Sequence, residues 1–156
     1  MPVIHLETFI EAPIQVCFDL SRSIELHKIS TVHTGETAVA GRISGLITTG
    51  ETVTWRAKHF GIWQRLTVEI VEMKAPVFFA DEMIKGAFRS FRHEHHFAEK
   101  ENGTLMKDVF DFEAPLGFLG KLAAQLVLTR YMTRLLSQRN KVIKDFAESG
   151  KWHELF

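Results

Sequence analysis

Histidines and aspartates stand on the apolar faces of predicted strands, where they could act on a bound molecule. His93 and His95 share one face of a strand with two phenylalanines, and Asp108 lies on the apolar face of the next strand. Because successive side chains of a strand point to opposite faces, all three are expected to point toward the core. His59 aligns with apolar residues on an earlier strand, whereas the strand of Asp81 is apolar on both faces and leaves its direction undecided.

These ionisable groups allow two interpretations, because burying them costs free energy unless they are paired or hydrated. In the first, they are polar anchors in a wet cavity, where His93 or His95 could act as a general base while Asp108 fixes its tautomer. In the second, they are satisfied core pairs, His93 with Asp108 and His59 with Asp81. Neighbouring antiparallel strands commonly bring such side chains together, so the sequence leaves both open.

Three other kinds of chemical site are less favoured by the sequence. His93, His95 and Asp108 could form a two-histidine, one-carboxylate metal site, but a His-x-His pair without a third ligand at defined spacing is weak evidence. Cys17 lies far in sequence from the histidines and is expected to be a small packing residue. The glycines after Pro115 fit a strand-to-helix turn rather than a phosphate loop. We therefore predict no metal and no cofactor.

The chain is rich in phenylalanine, with 13 Phe against a single Tyr. Most of these rings are expected to build the core. Apolar side chains that flank a few polar groups are also typical of a ligand pocket. The residues expected to contact a ligand are Trp55, His59, Phe79, Asp81, Met83, Phe91, His93, His95, Met106, Asp108, Phe110 and Phe112.

Composition limits the partners that this protein could have. Its 156 residues fit one domain, and 19 basic side chains balance 19 acidic ones, which argues against a broad nucleic-acid or anionic-membrane surface. A single cysteine excludes an internal disulfide framework. The first residues lack the pattern of a signal peptide, and no apolar run is long enough to span a membrane. We expect a cytoplasmic protein without stable membrane association.

The elements that must position these residues follow from periodicity and from Gly and Pro breakers. The predicted strands are Val3–Glu11, Glu36–Ala40, Glu51–Phe60, Trp63–Lys74, Val77–Ile84, Phe88–Glu99 and Thr104–Ala114. The predicted helices are Ile14–Leu20, Ser21–Ser30 with Ser21 or Ser23 as its cap, and a long one from Leu116 to about Glu148. This order predicts an α+β fold, in which a curved antiparallel sheet grips one long helix and leaves space for a ligand between them.

Several motifs resemble one branch of the SRPBCC proteins, the START-like ligand-binding proteins that share the birch-pollen-allergen helix-grip fold. They are Ile10-Glu-Ala-Pro13, Val53-Thr-Trp-Arg-Ala-Lys-His-Phe-Gly61, Phe79-x-Asp81-x-Met83, His93-x-His95-x-Phe97, Thr104-x-Met106-x-Asp108 and Pro115-Leu-Gly117 followed by Gly120. The resemblance covers essentially the whole chain. It implies a seven-stranded antiparallel sheet around the C-terminal helix, two short helices closing one end, and an internal cavity for a lipid, isoprenoid, polyketide or aromatic compound.

Three functions are consistent with this resemblance. The favoured one is binding of a hydrophobic small molecule. The second is a cofactor-independent cyclase-like, hydratase-like or lyase-like enzyme, because members of the branch are sometimes labelled cyclases or cell-division inhibitors. The third is an accessory role, with a second copy or an epimerase-like protein as partner, since some members are fused to a nucleotide-sugar-epimerase-like domain. Its docking face would be Leu116, Phe118, Leu119, Leu122 and Leu126.

Overall fold

The computed structural model describes residues 2–115 and 121–156, which form one antiparallel sheet and three α-helices. The strands are β1 (Val3–Ile10), β2 (Thr37–Gly41), β3 (Thr52–His59), β4 (Ile62–Lys74), β5 (Phe78–Lys85), β6 (Ser90–Lys100) and β7 (Gly103–Glu113). The helices are α1 (Ile14–Ser21), α2 (Ile24–Ser30) and α3 (Lys121–Ser149), with 3-10 turns at Val32–Thr34 and Lys151–Glu154. The seven strands lie in the order β1-β7-β6-β5-β4-β3-β2. The predicted α+β architecture is confirmed.

The two short helices follow β1 and are separated by a cap at Ser23. The Ser23 hydroxyl accepts a 3.2 Å hydrogen bond from the backbone N–H of Leu26, which satisfies one free donor of the first helical turn. Since Ser23 itself has an extended conformation, α2 begins at Ile24 rather than at the predicted Ser21. Ser21 belongs to the last turn of α1 instead.

The β6–β7 hairpin holds two of the candidate site strands in register. Lys100 pairs with Gly103 across a two-residue turn, and Asn102 takes a left-handed conformation with φ 67°. Gly103 packs directly against β1, because a Cβ atom there would lie 2.3 Å from the carbonyl oxygen of Ile10. In this turn asparagine supplies the positive φ and glycine permits the close approach to β1.

The alternation of β6 and β7 places their apolar faces inward, as predicted. The even-numbered residues of β7 from Thr104 to Phe112 are all buried, and so are the odd-numbered residues of β6 from Phe91 to Phe97. For β5 the structure supplies the direction that the sequence left open. Phe79 is buried in the core and Asp81 shares its inward face, whereas Glu82 forms an ion pair with Arg92 on the outer face.

Helix α3 spans 29 residues, about 44 Å at 1.5 Å per residue, and packs on β1, α1 and α2. Its second half contributes Leu136, Ile143 and Ala147 to the hydrophobic core. Near its start, Leu122 is 84% exposed and Leu126 is 54% exposed. The other residues of the predicted docking face, and the predicted turn glycines, lie within 116–120, outside the described residues. No helix among the described residues is long and apolar enough to cross a membrane.

Candidate functional site

A cavity of about 680 Å³ lies between the inner face of the sheet and α3. Its wall is mainly apolar, with contributions from β3, β4, β6, β7 and α3. The apolar lining residues are Trp55, Phe60, Ile62, Leu66, Val68, Ala87, Phe88, Phe91, Phe110, Pro115, Ala123, Val127, Leu128, Met132, Leu135 and Leu136. The polar lining residues are His27, Thr31, Glu36, His59, Gln64, Asp81, His93, Tyr131 and Arg139. The arrangement is a hydrophobic chamber with a few polar groups.

One group of polar residues joins β5, β6 and β7. His93 Nε2 lies 2.8 Å from Asp108 Oδ1, and His95 Nε2 lies 2.9 Å from Asp81 Oδ1. The two imidazole rings are adjacent, with their centroids 3.8 Å apart, and Phe79 stacks on the other side of His95 at 4.0 Å. His93 and Asp81 line the cavity, while His95 and Asp108 lie behind them in the protein interior.

Two consecutive residues of α3 complete this group from the opposite side. Asn140 donates a 2.6 Å hydrogen bond to Asp108 Oδ2, so both oxygens of that carboxylate are engaged. The Arg139 guanidinium lies 3.5 Å from Asp108 Oδ1 and donates a 3.0 Å hydrogen bond to the carbonyl oxygen of Ser21. Helix α3 is thereby tied to β7 and to α1 through buried polar contacts.

The charge states of this group follow from its geometry. Burial by itself would raise the pKa of Asp108, but the hydrogen bond from His93, the nearby His95 ring and the charge of Arg139 hold that pKa well below its ordinary value of 3.8. The pKa of Asp81 is also lowered, because the His95 hydrogen bond and nearby positive charge outweigh burial. Burial lowers the pKa of His93. Asp108 is therefore ionised at neutral pH, and a neutral His93 donates its Nε2 proton to it.

A second group of polar residues lies around β3, α2 and the middle of α3. His27 Nε2 is 2.8 Å from Glu36 Oε1, and the His27 ring stacks on Trp55 with centroids 4.1 Å apart. His59 Nδ1 forms a hydrogen bond with the Tyr131 hydroxyl. Burial opposes ionisation of Glu36, but the His27 charge and hydrogen bond lower its pKa below 4.5. Burial also lowers the pKa of His59.

The two polar groups are separated along the cavity. His59 pairs with Ile62 on β4, whereas Asp81 pairs with Ile70, eight positions further along the same strand. On the helix side, Tyr131 and Arg139 are likewise eight positions apart, which corresponds to about 12 Å of helix. The apolar wall occupies the space between them.

The structure divides the predicted ligand-contact residues into two layers. Six of them line the cavity: Trp55, His59, Asp81, Phe91, His93 and Phe110. The other six pack behind this lining or beside it: Phe79, Met83, His95, Met106, Asp108 and Phe112. Strand parity correctly gives the inward face of a strand, but it does not distinguish the surface of a cavity from the layer beneath it.

One predicted pair is wrong. His59 does not pair with Asp81, because the two face β4 residues eight positions apart; the partner of His59 is Tyr131, and that of Asp81 is His95. The predicted pair of His93 with Asp108 is present. The sequence interpretation also missed the contributions of His27, Glu36, Tyr131, Arg139 and Asn140. The signal available for the α3 residues was an Arg-Asn pair and the single tyrosine of the chain within a helix predicted to face the sheet.

Three side chains could in principle share a metal ion. The ligand atoms of Asp81, His93 and His95 lie within 4.8 Å of one another. This set replaces Asp108 of the sequence hypothesis with Asp81. Both histidine Nε2 atoms already hydrogen bond to carboxylates, and the Arg139 guanidinium lies 3.5 Å from His95 Nδ1. Because a divalent cation would sit beside this guanidinium, the absence of a metal stays our prediction.

Solved structures show what this architecture is similar to. No family model matches the chain, and no curated protein matches its sequence. A protein from Thermus thermophilus superposes with a TM-score of 0.71 at 18% identity, covering 91% of this chain and 97% of the other. A START superfamily protein from Mycobacterium smegmatis gives 0.71 at 11% identity, covering 94% and 97%. The chain has the START-like helix-grip fold.

A further solved structure with a similar fold is that of StfQ, a di-domain ARO/CYC protein of the steffimycin biosynthetic pathway. It superposes with a TM-score of 0.75 at 10% identity, covering 96% of this chain and 52% of that chain. Identities this low establish the START-like fold and leave the ligand to be inferred from the cavity itself. The predicted sheet, helix order and helix-grip resemblance are confirmed at the level of fold.

Proposed function

We propose that this protein binds a hydrophobic small molecule in the cavity between the sheet and α3. The observation that carries this proposal is the cavity of about 680 Å³, whose lining is mostly apolar and carries two separate polar groups. Small-molecule sites have volumes of roughly 300–1,000 Å³ and combine apolar walls with a few orienting polar groups. A lipid, isoprenoid, polyketide or aromatic compound has this chemistry.

The lining residues have distinct roles in this proposal. Trp55, Phe91 and Phe110 supply aromatic surface for the body of the ligand, while His59, Asp81 and His93 orient its polar ends. Phe79, Met106 and Phe112, which lie behind the lining, hold the wall in place. Two solved structures with a similar fold support a ligand-binding role, because one is named a START superfamily protein and the other an ARO/CYC protein of a biosynthetic pathway.

Native mass spectrometry of gently purified protein tests this proposal. We expect a persistent adduct in the parent protein. Val68 lies on the cavity wall and is 6% exposed, so Val68→Phe should fill part of the cavity and remove the adduct. Val109→Phe is the matched control, because Val109 points to the outer face of β7. A bare mass for both the parent and Val109→Phe would contradict the proposal.

A second candidate function, a cofactor-independent cyclase-like or lyase-like enzyme, is favoured by the position of His93. Its Nε2 is bound to an ionised Asp108, so the other ring nitrogen of the neutral imidazole is a base, and His93 lines the cavity. The test is His93→Gln assayed with an identified ligand. Retained affinity with lost turnover would support catalysis, whereas absence of turnover by the parent protein would leave binding as the function.

A further inference from the structure

Resting on the proposed ligand-binding function, we infer that the cavity selects uncharged ligands that carry a hydrogen-bond donor and that it excludes organic anions such as carboxylates and sulfonates. The balance of charges around the cavity and one carboxylate oxygen of Asp81 produce this selectivity. The apolar wall alone does not specify the chemical class of the ligand.

Carboxylates outnumber permanent cations at this cavity. Glu36 and Asp81 line it, and Asp108 lies behind His93 within hydrogen-bond distance. Of the cationic side chains whose positions the structure describes, Arg139 is the one Lys or Arg that lines the cavity, and it already faces Asp108 at 3.5 Å. Three carboxylates and one guanidinium leave two net negative charges before histidine is considered.

The four histidines cannot make the cavity positive at neutral pH. Burial lowers the pKa of His59 and of His93 below the ordinary value of 6.5, so both are neutral at pH 7. His27 and His95 each hydrogen bond to a carboxylate. Protonation of both would bring the net charge from minus two to zero and no further. An anionic ligand therefore finds no excess positive charge to replace its lost hydration.

Asp81 provides the acceptor for a ligand donor. Its Oδ1 atom accepts from His95, and within residues 2–115 and 121–156 no side chain or backbone group hydrogen bonds to its Oδ2 atom. The Asp81 side chain is 16% exposed, and it lines the cavity. A hydroxyl or N–H group of an otherwise apolar ligand would donate a charge-assisted hydrogen bond to the Oδ2 atom of Asp81.

Two fluorescent probes that share one ring system separate the effect of ligand charge on binding from the effect of ligand shape. N-phenyl-1-naphthylamine is neutral and carries an N–H donor, and 8-anilino-1-naphthalenesulfonate adds one sulfonate to the same ring system. We expect the neutral probe to bind at least about tenfold more tightly, and the sulfonate to displace it poorly. Binding of the neutral probe should be lost in Val68→Phe, and this loss would show that the probe binds in the cavity.

Single charge-neutralising variants test the cause of this selectivity. Asp81→Asn and Glu36→Gln should each improve binding of the sulfonate by about three- to tenfold, because each removes one facing negative charge. Glu7→Gln is the matched control: Glu7 pairs with Lys107 on the outer face, and the variant should leave both affinities unchanged. Because two independent positions are used, misfolding of one variant does not remove the test.

The outcomes distinguish the inference from the function on which it rests. If the neutral probe fails to bind, or binds Val68→Phe equally well, the proposed cavity-binding function is contradicted. If the neutral probe binds in the cavity and the sulfonate displaces it at similar concentrations, the function stands and the charge selectivity is wrong. An unchanged sulfonate affinity in both Asp81→Asn and Glu36→Gln would also overturn the selectivity.

Discussion

His93 and His95 each hydrogen bond to the aspartate that lies opposite the other histidine in the sheet. The strand register places Asp81 across from His93 and Asp108 across from His95, yet the bonds join His93 to Asp108 and His95 to Asp81. Each imidazole therefore reaches diagonally to a neighbouring strand. The crossed arrangement connects β5, β6 and β7 through their side chains on the inner face.

Because the bonds are crossed, Asp108 should couple more strongly to His93 than to His95, although His95 lies opposite Asp108 in the strand register. A double-mutant cycle with His93→Gln and Asp108→Asn should give a coupling of about 1–3 kcal/mol. The cycle with His95→Gln and Asp108→Asn should give less, because His95 Nδ1 lies 3.5 Å from Asp108 Oδ1. Urea unfolding of the four proteins in each cycle measures both values. Stronger coupling for His95 would show that the pairs follow the register.

Loss of the Asp108 charge should strongly destabilise the protein. Asp108→Asn keeps the shape of the side chain but leaves Arg139, which is 7% exposed, without its nearest carboxylate. We expect the free energy of unfolding to fall by about 3 kcal/mol. Asp145→Asn on the exposed face of α3 is the control, with an expected change below about 0.5 kcal/mol. Equal effects of the two variants in urea unfolding would contradict a buried charge network.

Stability should decrease in two stages as the pH falls. Burial lowers the pKa of His93, so below about pH 6.5 the unfolded chain binds a proton that the native protein does not. The lowered pKa values of Asp81 and Asp108 stabilise the fold above the unfolded pKa of about 4, and this stabilisation is lost as the pH falls through the native values.

Thermal unfolding measured from pH 8 to pH 3 checks both stages. We expect the Tm to be nearly constant above pH 7, to decline from about pH 6.5, and to fall more steeply below pH 4. His93→Gln should make the first decline shallower, with the remainder due to His59, whose pKa burial also lowers. A Tm that is constant down to pH 4 would show that these histidines are not held neutral.

Gly103→Ala should destabilise the protein more than Gly61→Ala, although Gly61 is the glycine with a positive φ. Gly61 has φ +76° with open space around it, so Gly61→Ala should cost about 1 kcal/mol of left-handed strain. In Gly103→Ala the new Cβ would lie 2.3 Å from the Ile10 carbonyl oxygen, and β1 would have to shift. We expect a cost of about 3 kcal/mol there, measured by urea unfolding. A smaller cost at Gly103 than at Gly61 would contradict the close packing of β1 on β7.

Divalent metal should not stabilise the protein. Although Asp81, His93 and His95 could share an ion, their hydrogen bonds and the adjacent Arg139 favour the metal-free state. Excess Zn²⁺ should raise the Tm by less than about 1 °C. A larger increase that disappears in Asp81→Asn would establish a metal site at these residues.

The sequence predicted the sheet well because period-two alternation is a local property of each strand. The inward direction of His93, His95 and Asp108 followed from parity alone. Asp81 could not be assigned, since both faces of β5 are apolar and β4 is irregular between Ile70 and Glu72. The wrong pairing of His59 with Asp81 has a related cause, because strand order by itself does not give the stagger along β4.

The site contacts made by residues outside the sheet could not be predicted either, and the reason is different. His27 and Glu36 meet because α2 and β2 fold against each other, a contact that no periodicity encodes. Asn140 reaches Asp108 only at one rotation and depth of α3 over the sheet. The sequence predicted a long helix in this position, but it did not indicate that two polar residues of that helix, Arg139 and Asn140, would be buried against β7.

The connection of Asp108 to both β6 and α3 has a consequence for engineering this protein. Since His93, Asn140 and Arg139 all contact that one carboxylate, a library that varies any of them will lose many members to misfolding. Leu66 and Leu128 line the same cavity with apolar side chains, and we expect both positions to accept residues of similar volume. Directed evolution toward new ligands should therefore randomise the apolar wall first and keep the carboxylate with its partners as a constant scaffold.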